Sequence, residues 1–404
     1  MIIGVIGGGA SGMVAAISAA ENPNAEVHLL ERQSRVGRKL MATGNGRCNL
    51  TNIHATGKSY HGSNASFSDF ALDSFNPEQT LSWFSALGLY TVTEGSGRVY
   101  PYSDQANSVV DVLRLNLMKH NINLHTDFEV KKVKVQNGKF FVSTDDIDLI
   151  CDKLIVACGG LAGTKLGATM SGYKLLGKFG HKSTKLRPAL VQLKSDWNML
   201  PGLKGVRANC HAAIYCDDDL FAQSVGELQF TDFGLSGPVI FEISRDVCSK
   251  PGNWYCKLDF LPELSDLELR HILEQRRLLD ITIQDLFTGI LHNRLGRILT
   301  QASGLSLNLP CNELAGDDIS DLVCAAKGFE IRLTEPMGMD HAQVTAGGVL
   351  TEHFNPKTME SYLVPGLYAC GEVLDIDGDC GGYNLQWAWS SGRLAGLNAG
   401  EVMK

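Results

Sequence analysis

The chain has 404 residues, of which 44% are hydrophobic and 20% charged, with a formal net charge of −8 at pH 7. This length predicts two or three domains, and the composition predicts a globular chain throughout. The acidic balance disfavours nucleic acid or an anionic membrane surface as the main partner. No apolar run reaches the roughly 18 residues of a membrane-spanning helix. The start of the chain lacks the basic segment of a signal peptide, so a cytoplasmic protein is expected.

The cysteines do not indicate a metal or disulfide framework. There are eleven of them, an odd number, and no CxxC pair occurs. A zinc ribbon and a thioredoxin-like redox pair are therefore not predicted, and no metal site is expected. Most cysteines are interpreted as small buried apolar residues in a reducing compartment.

The chain begins with a strand, a glycine turn and a helix. The run "IIGVIG" is typical of a strand buried on both faces of a parallel sheet. It leads into a G-x-G-x-x-G pattern at Gly7, Gly9 and Gly12, followed by the small-residue helix "MVAAISAAE". The first glycine permits the tight turn, the second lets a diphosphate approach the backbone, and the third lets the helix lie close to the strand. The pattern predicts a dinucleotide site at the helix N-terminus.

A second strand, "AEVHLLE", ends in an acidic residue. Glu31 follows Gly12 by 19 residues, close to the roughly 20 expected for a carboxylate that binds ribose hydroxyls. A 2′-phosphate would meet this carboxylate directly. The expected nucleotide is therefore FAD or NAD rather than NADP.

The next elements are predicted from caps and periodicity. Residues 76–89 indicate a helix with Asn76 as N-cap and Pro77 in the first turn. An amphipathic helix is predicted over 108–121. The alternating segment that follows contains Asn137-Gly138, which predicts a type I′ hairpin.

The character of the sequence changes near residue 187. Short strands joined by turns are predicted over 190–261, in a barrel or sandwich, and helices over 262–328. These helices are expected at 264–278, 282–302 and 313–328, followed by a strand in "KGFEIRLTEP". The resulting domains are 1–189, an insertion at 190–335, and the resumed first domain at 336–404.

Two further strand-to-glycine transitions suggest that the nucleotide is FAD. The strand in "KLIVACGGLAG" runs into Ala157, Cys158 and Gly159, a crossing of the chain expected beside the cofactor. Near the C-terminus, "GLYAC" ends in Gly371-Glu372, and a glycine-bearing loop then opens a helix. A chain that returns at its end to complete the nucleotide site is typical of FAD-binding folds related to glutathione reductase.

Several long motifs together carry a family resemblance. They are "VGRKLMATGNGRCNLTN", "GRVYPYSD", "FTDFGLSGP", "VTAGGV" and "GEVLDIDGDCGGYNLQWAWSSG". The chain resembles bacterial NAD(P)/FAD-dependent oxidoreductases that include aminoacetone-oxidase-like flavoproteins. This resemblance implies an α/β, Rossmann-like FAD-binding domain of the glutathione-reductase type, with an inserted β-rich, barrel-like domain and a small helical part. Carried over residue by residue, it implies FAD contacts at Gly7, Gly9, Ala10, Ser11, Gly12, Glu31, Arg32, Lys39, Leu40, Gly44, Asn45, Gly46, Arg47, Cys48, Asn49, Val130, Gly371, Glu372, Gly382, Tyr383, Asn384 and Leu385.

The catalytic candidates are His341, Tyr102 and Arg98. His341 precedes a strand and is either a proton donor or acceptor or a structural histidine. Arg98 and Tyr102 lie in "SGRVYPYSD". In one interpretation the aromatic and charged residues of this segment line a substrate pocket. In the other, Ser103 or Asp104 is simply the cap of the next helix.

Four other motif residues also have two interpretations. Arg47 either neutralises a phosphate or reduced flavin or forms a surface ion pair, and Cys48 is a redox thiol or, by preference, a packed side chain. Trp387, with its neighbour Trp389, is interpreted as core packing, with the site mouth as the alternative.

The predicted function is hydride transfer between a small organic substrate and non-covalently bound FAD. No second G-x-G-x-x-G follows residue 40, which favours either an amine oxidase that passes electrons to O2 or a reductase that takes NAD(P)H transiently. The competing hypothesis is a non-catalytic FAD protein that senses redox state or binds a partner. In that case the basic segments "HILEQRR" and "LHNRLGR" would contact a partner, although solvated helix faces explain their charge more simply.

Overall fold

The computed structural model describes residues 1–145, 148–247 and 250–401. The chain divides into two units, the first formed by Met1–Arg187 with Gln343–Lys404 and the second by Pro188–Ala342. The predicted insertion, 190–335, lies inside the second unit.

The described residues form 21 β-strands. They are β1 Ile2–Ile6, β2 Glu26–Leu30, β3 Thr51–Asn52, β4 Tyr60–His61, β5 Thr91–Thr93, β6 Arg98–Pro101, β7 Asn123–His125, β8 Lys132–Gln136, β9 Lys139–Ser143, β10 Asp148–Cys151, β11 Lys153–Val156, β12 Arg187–Ala189, β13 Leu193–Lys194, β14 Arg207–Cys216, β15 Asp219–Phe230, β16 Gly234–Ser236, β17 Trp254–Asp259, β18 Phe329–Leu333, β19 Val344–Ala346, β20 Leu367–Ala369 and β21 Asp377–Gly378.

The described residues also form twelve α-helices, numbered separately in chain order. They are α1 Ala10–Ala19, α2 Arg38–Ala42, α3 Asp69–Ser74, α4 Pro77–Ala86, α5 Ala106–Lys119, α6 Ser171–Lys178, α7 Leu200–Leu203, α8 Pro238–Val247, α9 Asp266–Arg276, α10 Asn293–Ala302, α11 Gly316–Lys327 and α12 Tyr383–Ala399. Within the described ranges, no helix is both long enough and apolar enough to cross a membrane.

The first unit is built on a five-stranded sheet in the order β20-β11-β1-β2-β7. All four neighbouring pairs are parallel, so the carboxyl ends of the strands meet at one edge. Helix α12 lies close to α1 because α12 has glycines on the side that faces α1. A Cβ on Gly392 would lie 2.5 Å from the Ser11 carbonyl, and one on Gly396 would lie 2.3 Å from the Ala15 carbonyl. The N-terminal helix and the last helix therefore share one packed face of this unit.

Local signals in the first unit are largely confirmed. Asn76 caps α4 in a reciprocal capping box with Gln79, and Pro77 is the first helical residue. Asn137 and Gly138 have φ values of 53° and 73° in the hairpin between β8 and β9, as a type I′ turn requires. The cap predicted for α5 at Ser103 or Asp104 is wrong, because the N-cap position is Gln105 and it makes no side-chain cap bond.

The second unit contains a six-stranded antiparallel sheet in the order β13-β16-β15-β14-β17-β18. The chain just after β18 returns to β13: Thr334 N donates to Lys194 O at 2.9 Å, and Lys194 N donates to Glu335 O at 2.8 Å. These bonds bring the two edges together into a nearly closed barrel. Its interior is apolar and is filled by buried side chains that include Leu193, Cys210, Ile214, Leu228, Leu258 and Ile331.

One helix in this unit was not predicted, and one predicted helix is wrong. Helix α8 lies inside the segment predicted to be β-rich. In a short, buried apolar run, periodicity alone does not distinguish a helix from a strand. The single helix predicted over 282–302 is broken: a 3₁₀ turn spans Ile283–Asp285 and α10 starts at Asn293. Gly289 between them has a φ of 82°, a left-handed conformation that ends a helix.

A largely buried lysine joins the helical part of this unit to the barrel. Lys327, the last residue of α11, donates to the carbonyls of Leu261 and Leu264 at 2.7 and 2.5 Å. Its ammonium also lies 2.7 Å from Asp259 at the end of β17, with only 12% of the lysine side chain and 20% of the aspartate side chain exposed. Removing one partner would leave the other charge poorly solvated.

We expect Lys327→Met to destabilise the protein by about 2–3 kcal/mol, below the range for a fully buried pair because the site is partly exposed. Lys257→Met is the matched control, since Lys257 faces Glu330 at 3.7 Å with about half of each side chain exposed. Its expected effect is below about 1 kcal/mol. Urea unfolding of both variants measures the difference, and equal midpoints would contradict the assigned role of Lys327.

Candidate functional site

The β1–α1 turn has the geometry of a diphosphate cradle. Gly7 has a φ of 109°, and a Cβ there would lie 2.4 Å from the Ala157 carbonyl. At Gly12 a Cβ would lie 1.8 Å from the Gly7 carbonyl, so the helix can lie on the strand only with glycine. Gly9 is different because nothing lies within 4 Å of its Cβ position, and as N-cap of α1 it makes no side-chain cap bond. The first N–H groups of α1 therefore point towards open space.

A second glycine loop lies beside the first. Strand β11 pairs with β1 and ends one residue before Ala157. Gly159 follows with a φ of 71°, and again nothing lies within 4 Å of its Cβ position. Two adjacent strands thus end in glycines that leave room at the same edge of the sheet.

The predicted ribose carboxylate is held by the backbone. Glu31 follows β2 and accepts hydrogen bonds from Gly8 N through Oε2 and from Gln33 N through Oε1, each at 2.7 Å. Arg32 donates to the carbonyl of Gly167 at 2.7 Å. Val130, predicted to lie beside the adenine, is half-buried in the segment before β8. The Glu31 carboxylate is therefore fixed next to the glycine turn.

Glu372 follows the end of β20 by three residues, at the same edge of the sheet. Its Oε1 accepts from Thr345 N at 2.8 Å, and its Oε2 lies 2.8 Å from the Lys39 ammonium. A Cβ on Gly160 would lie 2.5 Å from Glu372 Oε1, so the neighbouring loop needs a glycine there. The Lys39–Glu372 pair therefore links helix α2 to the loop after β20.

The N-terminus of α12 forms the far end of the candidate site. Gly381 and Gly382 have φ values of 122° and 104°, and the N-cap Gly382 makes no side-chain cap bond. Asn384 accepts from Gly378 N at 2.8 Å and donates to Gly378 O at 2.7 Å, while Tyr60 donates to the Tyr383 carbonyl at 2.9 Å. These bonds fix the start of a 17-residue helix whose N-cap is a glycine and therefore supplies no side-chain cap.

FAD fits this arrangement. The space left by Gly9 and Gly159 adjoins uncapped N–H donors suited to a diphosphate. Glu31 and Glu372 supply fixed acceptors for ribose and ribityl hydroxyls, and the α12 N-terminus offers donors and a positive dipole end to an electron-rich ring edge. When bound, the flavin accepts or donates a hydride at N5. Ser11, Ala10 and Leu40 lie in the same unit, on α1 and α2, at the positions where contacts are predicted.

The segment 43–49 has an unusual backbone. Gly44, Asn45, Gly46 and Cys48 all have positive φ values between 55° and 87°. No atom lies within 4 Å of the Gly46 Cβ position, so this turn also leaves room for a ligand. Asn49 Oδ1 is buried and has no hydrogen-bond partner.

Arg47 in this segment takes part in a charge cluster. Its guanidinium pairs with Glu94 at 2.9 Å and with Asp104, and lies 3.9 Å from the centre of the Tyr100 ring. The hydrogen bonds to Glu94 and Asp104 raise the pKa of Arg47. This geometry matches the ion-pair interpretation of Arg47, and its predicted contact with FAD stays a prediction.

The preferred, structural interpretations describe Cys48 and the two tryptophans. Cys48 is fully buried, and burial raises the pKa of its thiol to about 12. Burial likewise raises the pKa of the Cys158 thiol, in the loop after β11, to about 12. Trp387 and Trp389 are 1% and 0% exposed, and their ring N–H groups donate to backbone carbonyls. They are core residues.

The three catalytic candidates differ in burial and in their neighbours. Tyr102 is 78% exposed, whereas Arg98 is half-buried with its guanidinium 3.0 Å from the Cβ position of Gly381. His341 is exposed in a turn of the second unit. Of these, Arg98 alone lies beside the α12 N-terminus within the first unit, and all three roles stay predictions.

Sequence reasoning missed a histidine–aspartate pair. His61 Nε2 lies 2.6 Å from Asp379 Oδ1, and the two residues are 318 positions apart. No local pattern connects them. Only the alternation of Asp375, Asp377 and Asp379 in "LDIDGD" marked this loop as unusual.

This geometry defines a Rossmann-type FAD-binding protein, and comparison with known proteins identifies its family. The HI0933-like protein Rossmann domain family matches residues 1–398, and the chain belongs to this family. It is 40% identical to the 3-dehydro-bile acid delta(4,6)-reductase of Clostridium scindens, over 99% of both chains. It is 30% identical to the ribosomal RNA dihydrouridine synthase of Escherichia coli, over 96% of this chain and 95% of the relative.

A solved structure supports the fold. The 3-ketosteroid delta1-dehydrogenase of Sterolibacterium denitrificans superposes with a TM-score of 0.50 over 99% of each chain, at 12% identity. The family match and the reductase relative make the chain an FAD-dependent oxidoreductase.

The glycines of the cradle allow a direct test of FAD binding. Gly9→Ala should fold normally, because its Cβ meets nothing, but the added methyl occupies the space needed by the diphosphate. We expect purified Gly9→Ala to lose most of its flavin absorbance. Gly177→Ala in helix α6 is the control, because its Cβ also meets nothing and lies away from the turn. It should retain full FAD content, and similar flavin content in both variants would argue against the cradle.

Thiol labelling tests the packing role of Cys48. At pH 8 iodoacetamide should modify the exposed Cys324 and leave Cys48 unmodified until the protein unfolds, because its thiolate form is rare. Peptide mass spectrometry of native and urea-treated samples, with Cys324→Ser as control, measures this. Rapid native labelling of Cys48 would instead support a redox role.

Proposed function

We propose that this enzyme is a reductase, in which FAD-borne hydride is added to a C=C bond conjugated to a carbonyl in a polycyclic small molecule. The observation that carries the proposal is the 40% identity, over 99% of both chains, to a bile acid delta(4,6)-reductase. The second relative is named for making dihydrouridine, which is uridine with its ring C=C bond reduced. Both names describe saturation of a ring C=C bond conjugated to a carbonyl, so this chemistry is the most economical choice for the chain.

The residues of the first unit suit a flavin that becomes negatively charged when it is reduced. The uncapped N-terminus of α12 stabilises negative charge on a bound flavin ring edge. Arg98 lies beside Gly381 at that end and would add a cation. A reduced flavin carries more negative charge than the oxidised form, so these groups favour the binding of reduced flavin, which either direction of hydride transfer requires.

A small molecule is favoured over RNA by the charges of the helices in the second unit. Their arginines are engaged within the protein: Arg270 with Ser320, Arg276 with Thr288 O, Arg277 with Leu314 O, Arg294 with Gly202 O and Arg297 with Asp285. The chain also has a formal net charge of −8. A phosphate backbone is bound mainly through available cations, so we propose a neutral or weakly charged polycyclic substrate. NAD(P)H is the proposed transient donor that reduces the flavin.

The test separates this reductase from an amine oxidase. Photoreduced holoenzyme is mixed anaerobically with 3-oxochola-4,6-dien-24-oate, and flavin absorbance is followed by stopped flow. We expect the flavin to be reoxidised by this dienone and to stay reduced with the saturated 3-oxocholan-24-oate, which lacks a hydride acceptor. Oxidised holoenzyme should be bleached by NADH or NADPH and not by aminoacetone.

The opposite pattern would overturn the proposal. Bleaching by aminoacetone with peroxide formation would assign an amine oxidase. Reoxidation of the reduced flavin by unmodified ribosomal RNA fragments, but not by the dienone, would assign the substrate class of the Escherichia coli relative.

A further inference from the structure

The His61–Asp379 pair stands out among the polar groups of the first unit. Of the three aspartates in the loop before α12, Asp375 and Asp377 are 2% and 1% exposed. Asp375 accepts from the Ser63 backbone and hydroxyl at 3.1 and 2.6 Å, a structural role. Asp379 instead keeps 29% of its side chain exposed and pairs with His61, which is 37% exposed. An ion pair this open contributes at most about 1 kcal/mol to stability, so stability does not explain it.

The backbone holds this pair firmly in place. His61 on β4 is paired with Asp377 on β21, and Tyr60 with Gly378. The Asp379 amide donates to the Ser59 carbonyl at 3.0 Å. The imidazole and the carboxylate are therefore supported on two hydrogen-bonded strands, an arrangement that preserves their orientation.

The pair lies close to the end of the site where the flavin ring is expected. Asp379 precedes Gly382, the N-cap of α12, by three residues. Three residues span at most about 11 Å even when fully extended. Asn384, in the first turn of α12, also donates to the Asp379 carbonyl at 3.3 Å. The pair is thus anchored to the helix terminus that faces the cofactor.

We infer that His61, oriented by Asp379, is the proton donor for the reduction. This inference rests on the proposed function. The β-carbon of the conjugated C=C bond accepts a hydride, with its two electrons, from reduced flavin, which is left oxidised. The π electrons of the C=C bond shift towards the carbonyl, and the α-carbon then takes a proton from the His61 imidazolium. Neutral His61 regains its proton from solvent, and Asp379 stabilises the charged form.

Other ionisable groups surround the pair. Tyr60 on β4 is deeply buried, and burial raises its pKa well above the ordinary value, with Tyr383 and Asp379 adding to the shift. Tyr60 therefore stays neutral near pH 7. Asp377 lies opposite His61 on β21, and Tyr383 begins α12. Among these groups, the His61 imidazole is the one whose ordinary titration range lies near neutral pH.

The experiment uses photoreduced holoenzyme and the same dienone. We expect His61→Gln to slow flavin reoxidation about 100-fold or more, the usual contribution of a general acid, and Asp379→Asn to slow it less. The wild-type rate should fall as pH rises through imidazole titration, since the acid must be protonated, and this fall should be absent in His61→Gln. His211→Gln is the control, because the His211 ring bonds to the Gln223 side chain on the barrel hairpin of the second unit.

Two readouts separate catalysis from structure. Flavin content and dienone binding, followed by the flavin difference spectrum of oxidised enzyme, should be unchanged in His61→Gln, and added imidazole should raise the rate of His61→Gly. In ¹⁵N-labelled protein, Asp379→Asn should move the titration of the His61 ring to lower pH.

The outcomes are distinguishable. A wild-type enzyme that fails to pass hydride to the dienone overturns the proposed function and this inference with it. A competent wild type with an equal rate and the same pH profile in His61→Gln overturns the proton donor alone.

Discussion

Two helix N-termini without side-chain caps are the feature on which the candidate site depends. The N-cap residues of α1 and α12 are Gly9 and Gly382, which have no side chain that could accept from the first N–H groups. Unsatisfied donors with a positive dipole end are ready-made sites for negative charge. The parallel order of the sheet then determines where the remaining groups lie, because every strand that carries a predicted contact ends at the same edge. Cofactor binding is in this sense a consequence of sheet direction.

The glycines at the candidate site occupy positions of two kinds, where the backbone packs closely and where space is left. Gly7 and Gly12 allow the first turn to lie against strand β11 and helix α1 to lie on β1, whereas Gly9 and Gly159 leave space. These are opposite physical roles for one residue type. The sequence motif contains both, and only coordinates separate glycines that avoid a clash from glycines that keep a cleft open.

The predictable part of the fold was local. The first βαβ unit, the capping box at Asn76 and the turn at Asn137-Gly138 each depend on residues within one or two turns of each other, so a single stretch of sequence contains the signal. Helix α8 was missed because a short, buried apolar run has no decisive period. The break near Gly289 was missed because a lone glycine inside a helical pattern is often tolerated.

The site was less predictable than the fold, because some of its contacts join residues that are far apart in the sequence. The glycines and the two glutamates follow strands in recognisable patterns, but the Lys39–Glu372 and His61–Asp379 pairs join residues 333 and 318 positions apart. The strand pairing that creates the second of these contacts involves only two residues on each side. Such short strands carry almost no periodic signal, so the pairing becomes visible only in three dimensions.

The two relatives also indicate where substrate choice cannot reside. One is named for a bile acid and the other for ribosomal RNA, yet each aligns with this chain over at least 95% of its length. A fold shared over such a length supplies one redox chemistry, whereas the size and charge of the two substrates differ greatly. Substrate selection must therefore depend on side chains outside the glycine cradle. The products named for both relatives gain a proton as well as a hydride, so the proton donor proposed for the α12 end of the site would serve either substrate class.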